Sequence, residues 1–205
     1  MSSKINRRAF LRSAGVATAV RLGSWPSFTR GQVSKDKDVV VIKFTENTGI
    51  GRWYFDPVGL YIKPGQKVRW VCDMWGGSAT AFHPLNDNHE LRIPEKAKPF
   101  DSGIMTDRDL PGSSFEYLFE EQGTYDYFSR NAEVVGGVGR IIVGAPGGPG
   151  EKPLGYGGSE GRSVIFHDVR KLLSWLTPEK IVREKIVSYP SKLMELTYPS
   201  HDSHF

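Results

Sequence analysis

Cysteine is nearly absent: one residue, Cys72, stands in 205. That excludes an intrachain disulfide framework and any cysteine-rich metal cluster. No run of about 18 uninterrupted apolar residues occurs, which argues against a membrane-spanning helix. Positive charge is scarcer than the formal net of +4 suggests. Residues 1–34 hold six basic side chains (Lys4, Arg7, Arg8, Arg12, Arg21, Arg30) and no acidic one. The rest of the chain has 21 basic against 23 acidic residues, a net of −2. The body therefore makes no electrostatic case for nucleic acid. Glycine-rich stretches around Gly136 and Gly147 lack the Lys-Ser/Thr that a phosphate-binding loop needs. What is present is a globular composition, 39% hydrophobic and 12% aromatic, with 23 glycines and 13 prolines that point to a turn-rich β-structure.

The first residues read Asn6-Arg7-Arg8-Ala9-Phe10-Leu11-Arg12, followed by the weakly apolar Ser13–Val20. Paired arginines before x-Phe-Leu resemble the twin-arginine export signal of bacteria. Arg21 cuts the apolar stretch short and no small-x-small cleavage site precedes Gln32, so the leader is expected either to be removed or to stay as a peripheral anchor.

Six segments carry strand signals: Val39–Thr45, Val58–Lys63, Gln66–Cys72, Ser114–Phe119, Tyr125–Ser129 and Val138–Val143. Gln66–Cys72 sets Val68, Trp70 and Cys72 on one face, and Pro64-Gly65 before it is a turn pair. Strands at this spacing between glycine turns predict a β-sandwich. Trp75–Thr106 is long for a connection, the mark of a functional or self-packed loop. Gly144–Gly161, with eight glycines and three prolines, reads as a linker. Beyond it, Ile165, Val169, Leu172, Leu173 and Leu176 fall on one helical face, and Thr177-Pro178-Glu179 caps a second helix through about Val187. Two short amphipathic helices need a surface to dock on, either the sandwich or another protein. For the second case Trp175, Leu172 and Leu176 are the candidate partner-binding residues, with Trp53, Tyr54 and Trp75 as further candidate anchors, although core packing is the safer reading of each aromatic.

Within this pattern, Gly59-Leu60-Tyr61-Ile62-Lys63-Pro64-Gly65-Gln66-Lys67-Val68 resembles the early strands of plastocyanin-like cupredoxins, the blue copper proteins. Phe82-His83-Pro84 resembles the segment with their first copper-binding histidine. Gly123-Thr124-Tyr125-Asp126-Tyr127-Phe128 and the closing Gly139-Arg140-Ile141-Ile142-Val143 continue the likeness, which covers roughly residues 39–145. The resemblance implies an all-β, Greek-key sandwich with a C-terminal helical extension. The domains would be a leader or anchor over 1–34, a cupredoxin-like domain over 35–145, a Gly/Pro linker over 146–161 and the extension over 162–205.

Type 1 copper takes two imidazoles, a thiolate and a weak axial thioether. The family carries three of these on the loop before the last strand, as Cys-x-x-His-x-x-x-x-Met. The resemblance places Ser129, Ala132 and Gly137 at those positions, leaving His83 as the one retained ligand, hydrogen-bonded beneath Ser129 and Asn131. A hydroxyl, a methyl and a bare backbone do not hold copper, so no cofactor is expected. His89 reads as part of a polar, turn-rich loop and Glu133 as a surface charge, and Ser129 with His83 lacks the nucleophile elbow of a hydrolase, so no catalytic residue is assigned.

The implied function is an exported, periplasmic, copper-free binding or structural module. Analogy suggests an accessory subunit of a membrane-bound respiratory or photosynthetic electron-transfer complex. The alternatives are a type 1 copper electron carrier with an atypical ligand set, or metal delivery through His83, His89, His201 and His204.

Overall fold

Val68, Trp70 and Cys72 all point into one interior, and that alternation organises the first half of the molecule. The structure, a computed structural model, describes residues 39–49, 51–74, 76–107, 110–156 and 166–195. The twin-arginine-like leader, Trp75, Ile165, residues 157–161 of the expected linker and the His201–His204 tail lie outside the described residues.

Strands β1 (Val39–Asn47), β2 (Arg52–Asp56), β3 (Gly59–Ile62), β4 (Gln66–Cys72), β5 (Thr80–Ala81), β6 (Ser114–Phe119), β7 (Gly123–Phe128), β8 (Val138–Val143) and β9 (Ile186–Val187) form two sheets. One is ordered β2-β1-β4-β6 and the other β5-β7-β8-β3-β9. Parallel pairs β1/β4 and β3/β8 interrupt otherwise antiparallel ladders. The expected β-sandwich is what the chain forms.

Between the sheets, Trp70 lies against Phe100, Phe115, Phe119 and Tyr127 with ring centroids 5.3–6.2 Å apart. Tilted and edge-on rings at these distances fill the interior and bring their own electrostatic attraction. Strands β7 and β8 are buried at every position, so their sheet is covered on both faces. The second cover is the C-terminal segment: α1 (His167–Trp175), α2 (Pro178–Glu184), β9 and α3 (Ser191–Glu195). Leu172, Leu173, Leu176, Ile181 and Met194 pack there on Val58, Phe82, Phe128, Val138 and Ile142.

This corrects the partner-binding assignment. Leu172 and Leu176 are fully buried against the chain's own sheet, and half-buried Trp175 carries the Lys180 ammonium 4.4 Å from its ring centroid. The extension is also not wholly helical. Thr177 caps α2 by accepting from the Lys180 N–H at 3.2 Å, as its sequence indicates. The helix stops at Glu184, because Lys185 turns to φ 66° and Ile186–Val187 joins β3 as an edge strand.

The expected linker is, over its described part, packed rather than free. Asp126, wholly buried on β7, accepts from Arg92 Nε at 2.7 Å and from Arg140 Nε at 2.6 Å. The Gly150 carbonyl accepts from Arg92 Nη2 at 2.6 Å, and the Lys152 carbonyl from Arg92 Nη1 at 3.1 Å. Arg140 Nη1 donates to the Leu176 carbonyl at 2.9 Å, closing the end of α1. A Cβ on Gly150 would lie 2.8 Å from the Thr124 carbonyl oxygen. Glycine serves here for close backbone approach, a use that composition alone does not separate from flexibility.

Candidate functional site

Ser129 follows directly on β7, and the loop it opens returns at Gly137 to enter β8. The loop closes through backbone bonds: Ser129 N–H to the Gly137 carbonyl (2.8 Å), Gly137 N–H to the Ala132 carbonyl (2.8 Å), and the Ala132 and Glu133 N–H groups to the Ser129 carbonyl (2.9 and 2.8 Å). A single 3-10 turn, Glu133–Val135, lies inside it. Three of the four residues assigned to ligand positions thus come together at one end of the sandwich.

His83 does not join them. Strand β5 runs antiparallel to β7, with Thr80 opposite Phe128 and Ala81 opposite Tyr127. The Phe82 N–H then bonds the Asp126 carbonyl, three residues before Ser129 and about 10 Å away along an extended strand. His83 lies in the bend that follows, half-buried, its Nδ1 accepting from the Leu85 N–H at 3.1 Å. Burial depresses its pKa. The expected contact of His83 with Ser129 and Asn131 is replaced by another: the Ser129 hydroxyl donates to Asn131 Oδ1 (2.7 Å) and accepts from the Ser78 N–H (3.0 Å).

The segment facing Ser129 is therefore Gly77–Ala79, several residues before His83. Gly77 itself leaves no room for a side chain, since a Cβ there would lie 2.2 Å from the nearest ring carbon of Phe44. Ala132 is fully buried, and a Cβ on Gly137 would stand 2.6 Å from its methyl carbon. The positive φ of this loop belongs to Gly136, at 83°, its neighbour.

Copper does not fit this donor set. A protonated serine hydroxyl already engaged on both sides, a methyl group and two glycines offer neither thiolate, imidazole nor thioether. Among the described residues, no group of three or more His, Cys, Asp or Glu side chains is placed to hold a metal ion. Cys72 is buried on β4 with its thiol 2.9 Å from the Met74 carbonyl, and burial raises its pKa, so it remains a thiol.

The surroundings of the loop hold what residue type alone did not show. His89 and Glu133, expected at the surface, are buried together, with His89 Nε2 3.0 Å from both carboxylate oxygens. Arg52, on β2, donates to the Val135 carbonyl at 2.9 Å and pairs with buried Asp168 of α1. Arg130 ties the loop to Asp87 (2.7 Å) and Asp101 (2.6 Å) at the surface. No short-range pattern reveals these pairs, because each joins residues 29 or more positions apart.

No protein-family model matches the sequence, and no curated protein does. Solved structures do. Pseudoazurin from Methylobacterium extorquens AM1 overlays with a TM-score of 0.52 at 17% identity, over 70% of this chain and 99% of its own. The fold is that of a cupredoxin.

Pseudoazurin from Sinorhizobium meliloti gives 0.49 at 17% identity, over 67% of this chain and 92% of its own. A purple cupredoxin from Nitrosopumilus maritimus gives 0.38 at 23%, over 51% and 99%. The first overlay is longer than the span of 39–145 read from the sequence, so the cupredoxin likeness takes in residues beyond it.

Proposed function

We propose that this chain is an exported cupredoxin-like protein that works without copper, as a binding or structural module. The loop between β7 and β8 carries the reading: it keeps a closed, bonded course from Ser129 to Gly137 while holding no cysteine, histidine or methionine. A loop relieved of a metal yet anchored by buried ion pairs is suited to contact. Ile104 and Val134, 59% and 58% exposed, offer apolar surface at this end. Ile104 lies beside Gly76, whose carbonyl accepts from Asn131.

The partner we propose is a protein, and the setting an accessory position on a membrane-bound electron-transfer complex. Support comes from the twin-arginine-like start and the family analogy. Among the described residues no helix is long and apolar enough to cross a membrane, so membrane contact through that part of the chain would be peripheral.

Copper titration of the full-length protein tests the reading. Metal analysis after dialysis should find well under one copper per chain, and visible spectra should lack a thiolate-to-copper band. One tightly held copper per chain with that band would restore the electron-carrier alternative. Replacing Arg7 and Arg8 together by lysine should hold the protein in the cytoplasm of a bacterial host, and unchanged fractionation would remove the export component.

A further inference from the structure

The imidazole of His89 faces an acceptor at each nitrogen. Nδ1 lies 2.9 Å from the Asn86 carbonyl oxygen, which can only accept, so Nδ1 carries a hydrogen. Nε2 lies 3.0 Å from both oxygens of Glu133, and a carboxylate also only accepts. One proton is therefore shared between Nε2 and Glu133. The two side chains are 6% and 11% exposed, so water does little to replace that proton's role. The ring stacks on Phe128, 4.1 Å between centroids, and meets Phe82 edge-on, an arrangement that suits the imidazolium.

Charged groups on neighbouring elements already have partners. On the loop of His89 itself, Asp87 pairs with Arg130 and Glu90 with Arg92. On β7, Asp126 is held by Arg92 and Arg140. On α1, which packs against the Glu133–Val135 turn, Asp168 pairs with Arg52 and lies 3.3 Å from exposed His167. Among the described residues, the turn is tied by two long-range side-chain hydrogen bonds: Arg52 to the Val135 carbonyl, and His89 to Glu133.

We propose that His89 and Glu133 form a proton-operated latch. The shared proton holds the Glu133–Val135 turn, and with it the exposed Val134, in place; its loss sets two lone pairs against each other and loosens the turn.

Burial alone would lower the His89 pKa, but the Glu133 hydrogen bond and charge outweigh it and raise the pKa above 6.5. A group raised on folding contributes stability that is complete below its unfolded value and is lost as pH rises through the folded value. The latch is thus closed in acid and opens toward alkaline pH.

The test is an NMR pH titration of the full chain, following the His89 ring and the backbone amides of residues 133–136. The His89 midpoint should lie above 6.5, and the Val134, Val135 and Gly136 amides should shift with that same midpoint. Hydrogen exchange at Gly136, whose N–H bonds the Glu133 carbonyl, should accelerate beyond its intrinsic rate by up to about tenfold per pH unit past the midpoint. His89→Gln and Glu133→Gln should each remove the midpoint from these amides. A His89 midpoint at or below 6.5 overturns the latch, as do turn amides that ignore the titration in the wild-type protein.

Discussion

A methyl group added at Gly77 would lie 2.2 Å from a ring carbon of Phe44, which is fully buried between the sheets. Neither side can yield without opening the core, so Gly77→Ala should destabilise the fold by about 1–3 kcal/mol, read from the shift in urea midpoint. The same crowding decides what restoring the family's ligands would do. Ser129→Cys, Ala132→His and Gly137→Met combined place a thiolate, an imidazole and a thioether on one loop, yet the histidine expected to complete them is His83. With His83 about three strand residues or more from Ser129, and Gly77 closed to any side chain, the triple variant should show no type 1 copper band and a lowered melting temperature. Appearance of the band would mean that the facing segment can rearrange to bring an imidazole in. At this scale the sequence was legible in what the loop lacks, since Ser129, Ala132 and Gly137 do converge. It was not legible in which upstream residue meets them. That depends on the β5/β7 register, set by a two-residue strand too short to show any periodicity.

Between elements, the Arg92–Asp126–Arg140 cluster is a buried polar tie, in which one carboxylate on β7 aligns two guanidinium groups. These in turn hold the Gly150 and Lys152 carbonyls and the end of α1. Replacing Asp126 by asparagine keeps the shape but leaves two buried cations short of their counter-charge. A loss of about 3–5 kcal/mol is expected, measured by equilibrium unfolding, with proteolysis advancing first in residues 146–156 as their carbonyl anchors loosen. A stability change below 1 kcal/mol would mean the arginines are neutralised by Glu90 and Glu151 instead. The longer strands β1, β4, β6 and β8 could be read directly from their residues, β4 and β6 by alternation and β1 and β8 as runs rich in β-branched side chains. The short β2, β5 and β9 could not, because edge strands owe their pairing to neighbours more than to their own sequence. The glycine-rich segment misled for a related reason. Composition records the freedom of an isolated chain, whereas here the absent side chains let the backbone approach β7.

Over the whole molecule, the C-terminal segment acts as a third layer. It buries Val58, Phe82, Phe128, Val138 and Ile142 on the outer face of the five-stranded sheet, and it supplies an edge strand through β9. Asp168 on α1 pairs with the guanidinium of Arg52, which is 2% exposed, so the layer also neutralises a charge the sandwich has buried. Removing residues 166–205 would expose that apolar face, take Asp168 from Arg52 and take the Leu176 carbonyl from Arg140 at once. Any one of these costs several kcal/mol, and a domain of this size is stable by only about 5–15 kcal/mol. The truncated chain should therefore fail to fold cooperatively, giving a broad thermal transition and dye binding to exposed apolar surface, rather than leaving an intact sandwich released from its tail. A milder probe separates packing from folding failure: Leu172→Ala, in the middle of that interface, should cost about 2–5 kcal/mol while keeping a single sharp transition. If the truncation instead melts cooperatively near the full-length temperature, the third layer is dispensable and the helices are free to engage a partner. If both variants behave as expected, the apolar surface available for partners lies elsewhere, with Val134 in the Ser129–Gly137 loop and exposed Ile104 the first to mutate.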